Sequence, residues 1–216
     1  MKLISSRSLQ KIIETDKTQR DFSTTNYYHP LLKHLYLSRI HLGLSLLATQ
    51  KYKKMLDLGF GGGIIIPELA QHCDQFYGVD IHKNITLINK LLKSEGVANV
   101  TLLQTTNNRL PFPDSYFDCL WCLSVLEFVN NPSELLMEIK RVTKKEADII
   151  IGFPIANKLT TLAYWLLGFD SDKQHKNTHS ELIKEIKNIF KIETNLVLPA
   201  WLPLDFSLFC VLKIKQ

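Results

Sequence analysis

Two short stretches carry residue types whose spacing suits binding of a small molecule. Met55-Leu56-Asp57-Leu58-Gly59-Phe60-Gly61-Gly62-Gly63 sets an acidic residue and four glycines at the end of an apolar run. Glycine adopts backbone angles closed to other residues and lets a ligand approach the main chain. Gly78-Val79-Asp80 follows, with Asp80 21 residues beyond Gly59. A carboxylate at that distance from a glycine turn accepts hydrogen bonds from both hydroxyls of an adenosine ribose. The other reading has Asp80 capping a helix that starts near Lys83. A dinucleotide fingerprint, G-x-G-x-x-G counted from Gly59, requires glycine at position 64, and Ile64 stands there. That argues against a nicotinamide-dependent oxidoreductase.

Other residues with chemical potential read as structural. Cys119 and Cys122 have the spacing of a metal or redox pair. They lie in an apolar run that reads as a strand, where residues three apart point to opposite faces. The two thiols therefore diverge, no metal site is expected, and buried cysteines suit a reducing, cytoplasmic compartment.

These motifs need a framework, and the pattern supplies one. Apolar residues recur at helical spacing from 30 to 49 (Leu31, Leu32, Leu35, Leu42, Leu46), after about 25 polar and mobile residues. Strands are predicted at 54–58, 75–79, 100–104, 117–123 and 148–153, and helices at 63–72, 84–94 and 133–142. This alternation implies βαβ units and a mostly parallel sheet with helices on both faces. The helix at 63–72 would present free N–H groups and a partial positive charge to the glycine turn. Beyond Pro154 come an apolar helix (159–167), a polar helix (179–189) and two strands (191–198 and 206–214) able to pair antiparallel. Pro199 and Pro203 mark the bend between them.

Length and composition agree with one domain. The chain has 216 residues, 45% of them hydrophobic and 22% charged. Its net charge of +5 comes from scattered lysines without an arginine-rich block, so no nucleic-acid partner is expected. No apolar run reaches the roughly 18 residues of a membrane span, and the N-terminus lacks a signal-peptide core.

Four motifs in order now resemble a known family. The glycine stretch is similar to the first motif of the class I S-adenosylmethionine-dependent methyltransferases, type 11. Leu110-Pro111-Phe112-Pro113-Asp114-Ser115-Tyr116-Phe117-Asp118 resembles the family's LPF-x-D-x-x-FD segment. Val125-Leu126-Glu127-Phe128-Val129 resembles VLEHV, and Glu138-Ile139-Lys140-Arg141-Val142 resembles E-x-x-RV. The resemblance covers about residues 53–154. It implies a Rossmann-like, doubly wound, seven-stranded sheet with an antiparallel last strand, spanning 51–216 behind an N-terminal helical segment or lid at 1–50. It further implies that Asp57, Gly59, Phe60, Gly61 and Gly63 line the methionine and ribose portion of S-adenosylmethionine. Asp80 would bind the ribose, Ile81 would pack on the adenine, and Leu123 with Ser124 would face the methionine end.

The departures are specific. The family's acidic residue near the adenine amino group falls on Thr106, where Thr106 or Asn107 would offer a neutral acceptor. Phe128 replaces the histidine of VLEHV, and Lys144-Lys145-Glu146-Ala147 replaces a K-P-G-G turn. These departures leave open a non-catalytic module that keeps the fold and binds only the cofactor or a protein partner. The N-P-P-aromatic tetrapeptide of nucleic-acid amino methylases is absent, since strand four ends Cys122-Leu123-Ser124-Val125. Candidate bases for an acceptor are Tyr28, His29, His82, Glu127, His175 and His179, each with a structural reading beside it. Tyr164, Trp165, Leu166, Leu167 and Phe169, at helical spacing, read first as core; the other reading has them shape a pocket for a small, apolar or lipid-like acceptor, with Tyr27, Tyr28 and His29 closing over it.

Overall fold

A computed structural model describes residues 1–5, 7–8, 10–11, 30–81, 84–105, 109–161 and 176–216. Helix α1 (Pro30–Leu44) precedes seven strands: β1 (Tyr52–Leu58), β2 (Cys73–Asp80), β3 (Val100–Gln104), β4 (Phe117–Leu123), β5 (Thr143–Pro154), β6 (Lys191–Leu198) and β7 (Phe209–Lys215). Between them lie α2 (Ile66–Leu69), α3 (Ile85–Ser94), α4 (Pro132–Val142) and α5 (His179–Ile189). The strands form one sheet in the order β3-β2-β1-β4-β5-β7-β6. β1 to β5 pair in parallel, and β7 runs antiparallel to both β5 and β6. This is the Rossmann-like sheet with its antiparallel last strand.

Alternation within each strand divides the core in two. Met55, Phe76, Cys119, Trp121, Ile150 and Val211 face one layer, with Ile40 of α1 and Ile88 of α3. Leu56, Leu120, Cys122, Ile149 and Leu212 face the other, with Leu136 of α4 and Ile186 of α5. Cys119 and Cys122 thus lie on opposite faces, both buried and unpaired. Helix α1 comes close to the sheet because position 43 is glycine: a Cβ there would lie 2.5 Å from the Trp121 ring.

Helix starts follow local chemistry. Asn131 accepts the Glu134 amide at 3.3 Å ahead of Pro132, which suits the first turn of α4. Thr178 and Glu181 form a reciprocal capping box at the start of α5.

Several expected elements differ in extent. The helix expected at 63–72 is only the four residues of α2, followed by a 3-10 turn over Ala70–His72. Gly63 at φ 73° cannot lie in a right-handed helix, and Pro67 occupies the first turn. So short a helix adds little dipole to the glycine turn. β5 starts at Thr143, not at 148, because Thr143 already pairs with Phe117. The ladder then shifts register across Lys144–Ala147, where Lys144 bonds Asp118 at 2.5 Å. β7 starts later than expected because Leu204–Phe206 forms a 3-10 turn and Asn157 holds the Ser207 carbonyl at 2.7 Å.

The first residues are also more anchored than their polarity suggests. Ile4 is buried and its amide donates to Ile64 O at 3.0 Å, while Ser5 Oγ donates to Glu95 at 2.7 Å. No helix among the described residues is long and apolar enough to cross a membrane.

Candidate cofactor and acceptor site

β1 and β2 end side by side, Asp57 opposite Gly78 and Leu58 opposite Val79. The chain then turns through Gly59, Gly61 and Gly63, at φ 83°, 52° and 73°. Gly59 is doubly constrained, since a Cβ there would also lie 2.2 Å from Val125 Cγ2. The turn is therefore packed onto the segment that follows β4. Its amides are committed internally: Gly59 to Val79 O at 2.8 Å, Gly63 to Phe60 O at 2.9 Å and Gly61 to Asp80 Oδ2 at 2.7 Å.

Asp80 is held at the tip of β2, 9% exposed, while its neighbour Ile81 is 72% exposed. Thr105 N–H donates to Asp80 O at 2.9 Å and Gln104 Nε2 to Ile81 O at 3.1 Å, so the ends of β2 and β3 are tied together. Asp57 lies beneath the turn, almost wholly buried, with Oδ2 lacking a hydrogen-bond partner. Burial, followed by the nearby Asp80, pushes its carboxyl well above the usual carboxylate range. A buried carboxyl oxygen in that position is a ready acceptor for a ligand N–H or O–H. Phe60 contributes its backbone carbonyl to the turn, accepting the Gly63 amide. Its ring is buried in the core, 2.8 Å from where a Cβ on Gly78 would sit.

β4 ends beside this turn. Leu123 is half-buried, and Ser124 adopts φ 58° while its amide donates to Gly152 O at 2.7 Å. Arg39 reaches the same point from α1. Its Nη1 donates to Ser124 Oγ at 3.1 Å, its guanidinium stacks 4.4 Å from the Tyr36 ring, and its Nε is buried without a partner. Glu127 is 2% exposed, and its Oε2 also has no partner. Burial pushes the Glu127 carboxyl up to about 8, against the pull of its own amide, Arg39 and the Ser124 hydroxyl.

The structure thus gathers Asp57, Gly59, Gly61, Gly63, Asp80, Ile81, Leu123 and Ser124 at the carboxyl edge of β1, β2 and β4, where open α/β sheets bind ligands. Thr106, Asn107, His82, Tyr27, Tyr28, His29, His175 and the 164–169 aromatic stretch lie outside the described residues. His179 is engaged structurally: Nδ1 accepts the Ala156 amide at 3.1 Å, and Nε2 lies 3.3 Å from Ser180 Oγ and 3.5 Å from Asp205. Arg39 was not predictable from pattern. It meets Ser124 across 85 positions, and nothing in its local sequence marks it.

The chemistry of this edge fits a nucleoside bearing an amino-acid tail. A fixed carboxylate suits a ribose diol, an exposed isoleucine suits a flat base, and an orphan carboxyl and a guanidinium suit an ammonium and a carboxylate. A family model described as a methyltransferase domain, type 11, matches residues 56–151. A ubiquinone biosynthesis O-methyltransferase of Hahella chejuensis (strain KCTC 2396) is 26% identical over 184 residues, covering 70% of this chain and 77% of that protein. The namesake from Saccharophagus degradans is 33% identical over 102 residues, which is 46% of this chain and 43% of that protein. The fold matches that of the N-methyltransferase NodS from Bradyrhizobium japonicum WM9, solved with S-adenosylhomocysteine. Its TM-score is 0.67 and its identity 11%, with 97% of this chain and 98% of that one covered. With the glycine turn, the anchored Asp80 and the strand order in place, residues 56–151 match a methyltransferase domain and the sheet has the fold of the class I S-adenosylmethionine-dependent methyltransferases.

Proposed function

We propose that the chain binds S-adenosylmethionine across the ends of β1, β2 and β4 and transfers its methyl group to a small-molecule acceptor. The observation that carries this reading is Asp80, fixed by the Gly61 amide at 2.7 Å beside a fully presented Ile81. Asp80 binds the ribose, and Ile81 packs on the adenine, with Thr106 and Asn107 next in sequence toward its amino group. The backbone of Gly59, Phe60, Gly61 and Gly63 lies under the ribose and methionine. Asp57 and Leu123 flank the methionine end, and Arg39 takes its carboxylate. The cofactor supplies the electrophilic carbon, and the protein supplies alignment and exclusion of water.

A small-molecule acceptor draws support from relatives named for ubiquinone biosynthesis. A lipid-like acceptor draws on the apolar residues 164–169. Four unpaired, buried cysteines support a reducing, cytoplasmic location.

Calorimetric titration with S-adenosylmethionine and S-adenosylhomocysteine tests the reading, with Arg39→Met alongside. Saturable binding that this variant weakens supports it. Absence of binding by folded protein at millimolar ligand overturns it. Binding without turnover on a broad acceptor panel would instead favour a module that keeps the cofactor and lacks the chemistry.

A further inference from the structure

The cofactor reading leaves the loop between β6 and β7 without a task. From Pro199 to Leu208 its one ionisable side chain is Asp205. Trp201 is 80% exposed, more than any other large apolar side chain among the described residues, and Phe206 is 65% exposed. The loop's own bonds fix this exposure. The Leu208 amide closes the loop on Leu198 O at 2.7 Å, and the Phe206 and Ser207 amides donate to Pro203 O and Leu204 O, both at 3.0 Å. The Ser207 hydroxyl donates to Leu202 O and Pro203 O at 3.3 and 3.0 Å. Asn157 Nδ2 holds the carbonyls of Asp205 and Ser207 at 3.0 and 2.7 Å. Pro199 and Pro203 have no N–H to satisfy. Two aromatic rings are thus held outward by a backbone whose polar groups are largely bonded within the protein, the condition for entering an apolar medium.

We propose that this loop is a membrane anchor: Trp201 and Phe206 enter the headgroup region of an anionic phospholipid surface and set the carboxyl edge of the sheet against it. The docking stands apart from the cofactor reading. Its consequence, that an acceptor reaches the site from the lipid, rests on that reading.

Area, charge and position favour lipid over a protein partner. The two rings offer about 300–400 Å². That is well short of the roughly 800 Å² per partner of a stable protein interface, whereas a bilayer needs no complementary face. Tryptophan suits the boundary, with an apolar body and a polar N–H. The chain carries a net charge of +5, and exposed Lys158 follows Asn157 at the base of the loop, which suits anionic headgroups. The opposing charge, Asp205, lies toward α5, with Oδ1 3.5 Å from His179 Nε2. Strand pairing sets the loop at the edge where the candidate site lies. Phe209, the first residue of β7, pairs with Leu198 and Pro154, and its ring is 5.5 Å from the Arg39 guanidinium.

The test uses the full chain and vesicles of phosphatidylcholine, with and without phosphatidylglycerol, read by co-sedimentation. Wild type should partition onto the anionic vesicles. Trp201→Ala and Phe206→Ala should each lower that partition about tenfold. Thermal unfolding and S-adenosylhomocysteine binding should stay as in wild type, since both side chains are exposed. Lys158→Glu should lower the partition about fivefold. In a Trp165→Phe background the remaining tryptophans are buried Trp121 and Trp201. Lipids brominated in their acyl chains should quench that fluorescence, and Trp201→Ala should abolish the quenching. No partition by wild type, partition unchanged in both aromatic variants, or an unquenched Trp201 overturns the proposal. A dimer in sedimentation equilibrium that Trp201→Ala dissolves also overturns it, and assigns the loop to a second copy of the chain. Vesicle binding is read without cofactor, so failure of S-adenosylhomocysteine to bind strikes the cofactor reading and leaves the anchor standing.

Discussion

The Asp80 carboxylate accepts the Gly61 amide at 2.7 Å, so the tip of β2 and the glycine turn after β1 move as one unit. The group assigned to the ribose is thereby set in place before any ligand arrives, which lowers the ordering cost of binding.

Asp80→Ala removes both the ribose acceptor and the brace on the turn. S-adenosylhomocysteine binding should weaken by about 1–3 kcal/mol in calorimetry. Asp80→Asn retains an oxygen for the Gly61 amide but loses the charge, so its loss should be smaller. Equal losses for the two would show that charge, and not the brace, dominates.

Gly59→Ala meets two separate obstacles, the φ of 83° and the Val125 methyl at 2.2 Å. It should destabilise the fold by about 1–3 kcal/mol in urea unfolding. In a double-mutant cycle, Val125→Ala should recover the clash and leave the backbone strain. Full recovery would assign the whole cost to the clash.

Glu127 carries a pH signature in stability. Its folded value, about 8, stands above the ordinary carboxylate range. The folded state therefore holds a proton that the unfolded state has lost. This stabilisation is complete below the unfolded value and declines as pH rises through about 8. Relative to Glu127→Gln, wild type should lose up to about 1.4 kcal/mol per pH unit at the steepest point. A difference between the two that does not vary from pH 5 to 9 would contradict a buried, protonated Glu127.

Asp148 should behave in the opposite sense. Burial alone would raise its carboxyl, but hydrogen bonds from Lys215, Tyr52 and Lys213 outweigh that and hold it below the usual range. The Tyr52 hydroxyl donates at 2.6 Å, and Lys215 and Lys213 lie at 2.8 and 3.0 Å. Its stabilisation is present above the unfolded value and is lost as pH falls through the lowered one. The stability gap between wild type and Asp148→Asn should close as pH drops below about 4. A gap that persists into strong acid would mean that the carboxylate charge contributes little.

Much of this was legible because it depends on short-range pattern. Strand alternation located all seven strands, and glycine spacing placed the glycine turn and Asp80 at the ends of neighbouring strands. Elements were misjudged where tertiary partners decide the outcome. β5 extends back to Thr143 because Phe117 offers a partner, and α2 shrinks because three glycines spend the chain on a turn. The Phe60 ring packs in the core beside Gly78, a placement that its position in the glycine motif does not reveal. The bond from Arg39 to Ser124 was hidden for another reason: it is made by folding a helix onto one strand end, and no local spacing encodes it.

The bond from the Ala156 amide to His179 Nδ1, 3.1 Å long, has an engineering consequence. The chain departs from β5 and returns to α5 at a single spot, and Asn177 is fastened separately to the carbonyls of Leu126 and Val129 at 2.9 and 2.7 Å. What runs between is thus an insert with its two ends already stapled together. Doubling the length of such an insert costs only about 0.6 kcal/mol in closure entropy. That makes the stretch a natural graft site, where segments of other lengths can be exchanged while the sheet and the glycine turn stay as they are.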